Sequence, residues 1–123
     1  MCHGNQDSFM QERERLNDTV MKYAGKTTRR IYSLDNQTYR EGALSGKEKE
    51  LLGLVASLVL RCDDCVHYHL ARCHEVGVKD EELAETMDIG LLVGGTITVP
   101  HIRRAFDTWD GLKKPMEECG HDE

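Results

Sequence analysis

The sequence predicts an all-α fold. Apolar residues recur at three- and four-residue spacing, helix-opening and helix-closing residues punctuate the chain at matching intervals, and no segment makes a convincing strand. Asp7 or Ser8 is placed to cap a first helix that runs to about Ala24 and stops at Gly25. Its apolar residues Phe9, Leu16, Val20 and Met21 are sparse, so this helix is expected on a surface or against another subunit. A further helical stretch is expected over 29–43. Ser45-Gly46-Lys47-Glu48 matches a capping box and opens a helix over 47–60, in which Leu51, Leu54, Val55, Leu58 and Val59 form one apolar stripe. The chain then turns near Arg61 and Cys62, and the next helix covers 63–76 before Gly77. Asp80, Glu81 and Glu82 crowd the start of another helix, where carboxylates favour the positive end of the dipole; Leu83, Met87, Leu91 and Leu92 carry it to the Gly94-Gly95 break. Pro100 suits the first turn of a last helix that holds Ile102, Ala105, Phe106 and Trp109 and ends near Gly111.

A chain of 123 residues suits one domain, with 1–44 as an N-terminal helical extension and 45–112 as the core that carries the functional residues. Hydrophobic residues at 39% and charged residues at 31% fit a folded chain rather than a disordered one. The net charge of −6 argues against nucleic acid as a partner. The basic pairs Arg29-Arg30, Arg103-Arg104 and Lys113-Lys114 are scattered and read as solvated faces or subunit contacts. No stretch approaches the roughly 18 apolar residues of a membrane span, and the first residues lack the pattern of a secretion signal, so no membrane association and a cytoplasmic location are expected. Five cysteines in such a chain argue against a structural disulfide framework; in the cytosol a Cys-x-x-Cys pair means metal or redox chemistry.

That pair is Cys62 and Cys65, followed by His69 and preceded by Glu50. At about 100° per residue, Cys62, Cys65 and His69 fall within about 60° of one another on a helix surface. Cys62 stands at the helix N-terminus, where unpaired amides stabilise a thiolate; Asp63 and Asp64 oppose that effect, so a base is needed. His69 lies one turn after Cys65. In an antiparallel hairpin turning at Arg61, position 50 is level with about position 72, roughly 4.5 Å along the axis from His69 and within reach of a glutamate. A Glu–His–Cys chain would let the imidazole take a thiol proton and hold the charge.

Other readings of the same residues compete. Cys62, Cys65, His69 and Cys73 could ligate zinc, but positions 62 and 73 are about 16 Å apart along one helix axis, too far to surround a tetrahedral ion. Cys73 reads as a small core residue. His67 is expected at the surface, His74 to favour a helix end, and His101 to occupy a helix-start surface position. Cys2 and Cys119 read as bystanders in the tails.

The pattern Glu50-x11-Cys62-x2-Cys65-x3-His69 resembles the alkylhydroperoxidase D-like branch of the carboxymuconolactone decarboxylase superfamily. Cys65 to Arg72, Gly77 to Glu85, the Gly94-Gly95 break and Ala105-Phe106 resemble the flanks of that family's motif, and the likeness runs from about Lys47 to Trp109. It implies an all-helical bundle with a central antiparallel hairpin, assembled as a homotrimer or homohexamer. No cofactor and no metal are expected. Cys62 and Cys65 would form a disulfide, with Cys65 attacking a small hydroperoxide, Cys62 resolving it, and His69 and Glu50 relaying protons. A dithiol, either a lipoyl group or a thioredoxin-like protein, would be the reductant. The helix-terminus argument instead favours Cys62 as the more acidic thiol, so both are kept as catalytic. Asp64 stands where well-known peroxidase members carry histidine, which lowers the expected peroxidase efficiency.

The function expected from these residues is that of a thiol-dependent peroxidase or disulfide oxidoreductase. A non-catalytic redox-responsive oligomeric module is the alternative, as is a lyase like the superfamily's lactone decarboxylases, which do not generally depend on a Cys-x-x-Cys pair.

Overall fold

The computed structural model describes residues 4–114. Six α-helices follow one another: α1 (Gly4–Tyr23), α2 (Lys26–Thr38), α3 (Gly46–Val59), α4 (Asp63–Glu75), α5 (Asp80–Gly94) and α6 (Val99–Leu112). A single 3₁₀ turn, Thr96–Thr98, joins the last two, and the described residues contain no strand. The all-α reading therefore holds.

The α3–α4 hairpin is the centre of the molecule. Its two helices pack on each other, α5 packs on α3, and α6 packs on α4. Leu54 and Leu58 of α3, Leu70 and Cys73 of α4, and Leu83 and Met87 of α5 are wholly or almost wholly buried, and Trp109 of α6 closes the cluster. Each buried leucine contributes about 2 kcal/mol in area removed from water, so this hairpin core dominates the stabilising side. Gly90 lets α5 approach α3, because a Cβ there would lie 2.5 Å from Leu58 Cδ2.

The helix ends follow local rules. Ser45 and Glu48 form the reciprocal capping box that opens α3. Both hairpin helices end in Schellman motifs. In α3 the Cys62 N–H donates to Ser57 O at 3.1 Å and the Arg61 N–H to Leu58 O at 2.9 Å; in α4 Val78 and Gly77 do the same to Cys73 and His74. The left-handed residue of the second motif is glycine (φ 85°), but in the first it is Arg61 (φ 62°), which pays about 1 kcal/mol for that conformation. The turn between the hairpin helices is thus a tight helix end that leads directly into the next helix start.

Several expectations change. Helix α1 starts at Gly4, so positions 7 and 8 lie inside it rather than capping it. Gly25 has an extended backbone and is the N-cap of α2, not a left-handed stop for α1. The stretch expected over 29–43 is α2, displaced toward the N-terminus and without a buried residue. Leu92 does not face the core: it is 85% exposed, and Ile89, Val93 and Ile97 are exposed beside it. The stripe of α5 is narrower than its sequence pattern because Leu83, Met87 and Gly90 alone are buried. The basic pairs are only partly free. Arg104 binds Asp63 at 3.1 Å, Lys113 pairs with Asp80, and the Arg29 guanidinium donates to Met21 O at 2.6 Å.

Candidate active site

Cys62 is the N-cap of α4, and its sulfur accepts the Cys65 N–H at 3.2 Å. The two sulfurs are joined as a disulfide, with Cα atoms 5.3 Å apart. Cys65 is exposed, whereas Cys62 is half-buried. The amide bond to the Cys62 sulfur is the interaction that would hold a thiolate there once the disulfide opens.

Glu50 and His69 meet as the hairpin register requires. Glu50 is buried in the middle of the hairpin, and its Oε1 lies 2.9 Å from His69 Nδ1. Its second oxygen lies 3.6 Å from Arg72 Nε, so the buried carboxylate faces a guanidinium as well as an imidazole. An ionised carboxylate only accepts, so opposite an ionised Glu50 the hydrogen belongs on Nδ1, and Nε2 is an acceptor whenever the ring is neutral. That nitrogen faces the Tyr39 hydroxyl, 3.3 Å away. Burial is the largest influence on Tyr39, and nearby Asp35, Glu50 and Tyr68 add to it; all push its phenol above the usual range, so it stays a donor.

Gly53 makes this meeting possible. A Cβ at that position would lie 2.6 Å from the Tyr39 hydroxyl oxygen and 2.7 Å from His69 Cε1. The α3 backbone therefore carries a bare patch opposite the imidazole.

A cavity of about 460 Å³ opens beside the disulfide, with Cys65, Asp64, Tyr68 and His69 of α4 along one side. Helix α1 supplies the other side through Phe9, Arg13 and Leu16. Two ring contacts hold α1 there: Phe9 stacks on His67 with centroids 4.1 Å apart, and the Arg13 guanidinium sits 3.7 Å above the Tyr68 ring. His67 is thus half-buried, contrary to its expected surface place, and desolvation holds its pKa below the ordinary value against the pull of Asp64 and Asp63.

The two aspartates differ. Asp63 accepts from His101 Nδ1 at 2.7 Å and from Arg104 Nε at 3.1 Å, which keeps its carboxyl below the usual range, the histidine bond being the largest cause. Its negative charge is thereby offset beside Cys62. His101 is consequently a partner of Asp63, not a plain surface histidine. Asp64 remains on the cavity side.

Cys73 belongs to the core, as expected; burial first, and the Glu50 carboxylate next, push its thiol up to about 12. His74 sits in the last turn of α4, edge-on to Trp109. Cys2 and Cys119 lie outside the described residues. Among the described residues no three His, Cys, Asp or Glu side chains converge as a metal-binding group. The residues that sequence reasoning passed over are Tyr39, Arg72, Gly53 and the cavity wall of α1. A glycine in the middle of the strongest helix, on its α4-facing side, is the signal that could have flagged Gly53.

Comparison with known proteins agrees with this architecture. A model of the carboxymuconolactone decarboxylase family matches residues 25–108. A structure of a carboxymuconolactone decarboxylase family protein of Thermotoga maritima, for which involvement in an antioxidative response has been suggested, is 49% identical. It superposes with a TM-score of 0.85 over 92% of this chain and 95% of that one. An apo carboxymuconolactone decarboxylase family protein of Legionella pneumophila, 20% identical, shares the fold with a TM-score of 0.81 over 90% and 99% of the two chains. An uncharacterized protein of Cupriavidus necator is 29% identical over 73 residues, 59% of this chain and 65% of that protein, so the match spans just under two thirds of that relative. With a family match that includes the hairpin, the buried Glu50–His69 pair and Tyr39, this chain belongs to the carboxymuconolactone decarboxylase family.

Proposed function

We propose that this protein is a thiol-dependent peroxidase and disulfide oxidoreductase that acts on small hydroperoxides. The observation that carries the reading is the Cys62–Cys65 disulfide, set at the edge of a cavity that also exposes part of a buried imidazole–carboxylate pair. The suggested antioxidative involvement of the Thermotoga relative supports it.

In the reduced protein, His69 takes the Cys65 thiol proton at Nε2, and Glu50 stabilises the resulting imidazolium. The Cys65 thiolate attacks the distal peroxide oxygen, the O–O bond breaks, and the leaving alkoxide takes the proton from His69. The products are an alcohol and a Cys65 sulfenic acid. The Cys62 thiol then attacks that sulfur, water leaves, and the disulfide forms. A dithiol donor attacks the exposed Cys65 sulfur and expels Cys62 as a thiolate, which the Cys65 amide receives. The donor's second thiol completes the exchange, and two electrons and two protons pass to the protein. Cys65 takes the peroxidatic role because it is exposed on the cavity.

The decisive experiment is intact mass of the reduced protein before and after one equivalent of hydroperoxide, with peptide mapping. A loss of two hydrogens confined to the peptide holding Cys62 and Cys65 is expected; an unchanged mass would overturn the reading. Glu50→Gln should lower the rate of disulfide formation about 10- to 100-fold, because the imidazolium loses its counter-charge, while the helical circular dichroism signal stays unchanged. Undiminished turnover in that variant would remove Glu50 from the relay.

The exposed row Ile89, Leu92, Val93 and Ile97 recurs on one side of α5 and its following turn. We read it as the face on which the trimer or hexamer implied by the resemblance packs. A solution mass equal to one chain would sink that assembly.

A further inference from the structure

We propose that Tyr39 is a redox-linked positioning residue for His69: its hydroxyl occupies Nε2 while Cys62 and Cys65 are joined, and it yields that nitrogen to a cysteine thiol once they are reduced. The proposal rests on the reading of Cys62 and Cys65 as a cycling pair.

His69 Nε2 is an acceptor in need of a donor, because the ring is largely buried. Tyr39 is the donor seen at Nε2. In the disulfide no thiol hydrogen exists to fill it. Tyr39 does so from the loop that follows α2, across the bare backbone of Gly53. At 3.3 Å the bond is longer than a strong O–H···N contact, so a competing donor can displace it. Cys65 is such a donor after reduction: it lies one turn before His69 and shares its cavity. Tyr39 is half-buried, so its released hydroxyl has access to water. The groups around the ring are Glu50 from α3, Tyr39 from the end of α2, and Cys65, Tyr68 and Arg72 from α4; Arg13 of α1 and Asp35 of α2 line the cavity. Of these, only Tyr39 is seen to occupy Nε2.

The exchange has a signed consequence. The reaction is Cys62–S–S–Cys65 plus an external dithiol giving two thiols plus the oxidised donor. Tyr39 stabilises the left side through Nε2, whereas a thiol replaces it on the right. Removing the hydroxyl therefore weakens the disulfide form alone. Tyr39→Phe should move the equilibrium about tenfold toward the dithiol, a rise of about 30 mV in reduction potential for a two-electron couple.

The test equilibrates wild-type and Tyr39→Phe protein in graded mixtures of reduced and oxidised dithiothreitol and counts free thiols by alkylation and mass. A merely structural role would lower the unfolding midpoint of both redox forms and leave the potential unmoved. Equal potentials, or a shift toward the disulfide, overturn the proposal while leaving the redox reading intact. A wild-type pair that never re-forms its disulfide in any mixture overturns both. Should Tyr39→Phe fail to fold, nitrogen-15 spectra of His69 in the wild-type protein decide. An Nδ1–H tautomer is expected in both redox states, with an Nε2 resonance that moves on reduction; an Nε2 resonance that stays in place overturns the exchange.

Discussion

Cys65→Ser should reduce dithiol-dependent hydroperoxide consumption to the uncatalysed background. Serine keeps the backbone N–H that Cys62 accepts, so the start of α4 survives the change. What is lost is the exposed sulfur and with it the disulfide. An alcohol at that position is not acidic enough for His69 to ionise as it would a thiol. Stability should change far less than activity, because the disulfide closes a very short loop and constrains the unfolded chain by only about 2 kcal/mol in the loop-entropy account. The experiment follows peroxide loss with excess dithiol and, in parallel, the thermal melt. A Cys65→Ser protein that consumes peroxide at the wild-type rate would end the assignment of this residue, and a surviving activity in Cys62→Ser alone would fit its role as resolving thiol.

Gly53→Ala should separate folding from function most clearly. Its new methyl would stand within 3 Å of His69 Cε1 and Nε2 and of the Tyr39 hydroxyl. Tyr39 can swing away because its loop position leaves it half-buried. His69 cannot do so freely, because Glu50 holds Nδ1 at 2.9 Å inside the hairpin. The gain in helix propensity, up to about 1 kcal/mol, is set against an overpacking penalty of about 1–3 kcal/mol, so the net loss of stability is small. A displacement of the imidazole by about 1 Å is enough to lower turnover roughly 100-fold. Turnover, together with the thermal midpoint and the His69 ring resonances, checks this. Unaltered turnover with unaltered ring signals would show that the bare patch on α3 is not needed.

The Glu50–His69 pair was legible in the sequence because it depends on two rigid rods and one turn. Once the capping box fixes where α3 starts and Gly77 fixes where α4 stops, the rise per residue sets the level at which positions 50 and 69 face each other. The turn was harder to read. Arg61 occupies the left-handed position that a glycine usually signals, so the Schellman geometry that delivers Cys62 to the N-cap had no marker in the chain. The N-terminal segment was undervalued for a similar reason. Tyr39 follows α2 through an irregular stretch, and no periodicity fixes where such a residue lands. The family match begins at residue 25, and the Tyr39–His69 contact brings the end of α2 against the hairpin. His67 was assigned by its helix face and His101 by its place at a helix start, and neither local reading could foresee Phe9 from α1 or Asp63 across the α4–α6 contact.

The sequence by itself determined the helices, the hairpin and the identity of the Cys62, Cys65, His69 and Glu50 set, because helix periodicity, caps and short spacings are local properties of the chain. Tertiary structure alone decided which groups meet these side chains: Tyr39 at His69 Nε2, Arg72 near the far Glu50 oxygen, His101 and Arg104 on Asp63, and α1 as a cavity wall. Those choices depend on how helices approach one another, and that approach is set by side-chain volume at contact points such as Gly53 and Gly90. Packing distances of this kind are fixed by the whole core at once, and no window of the sequence contains them.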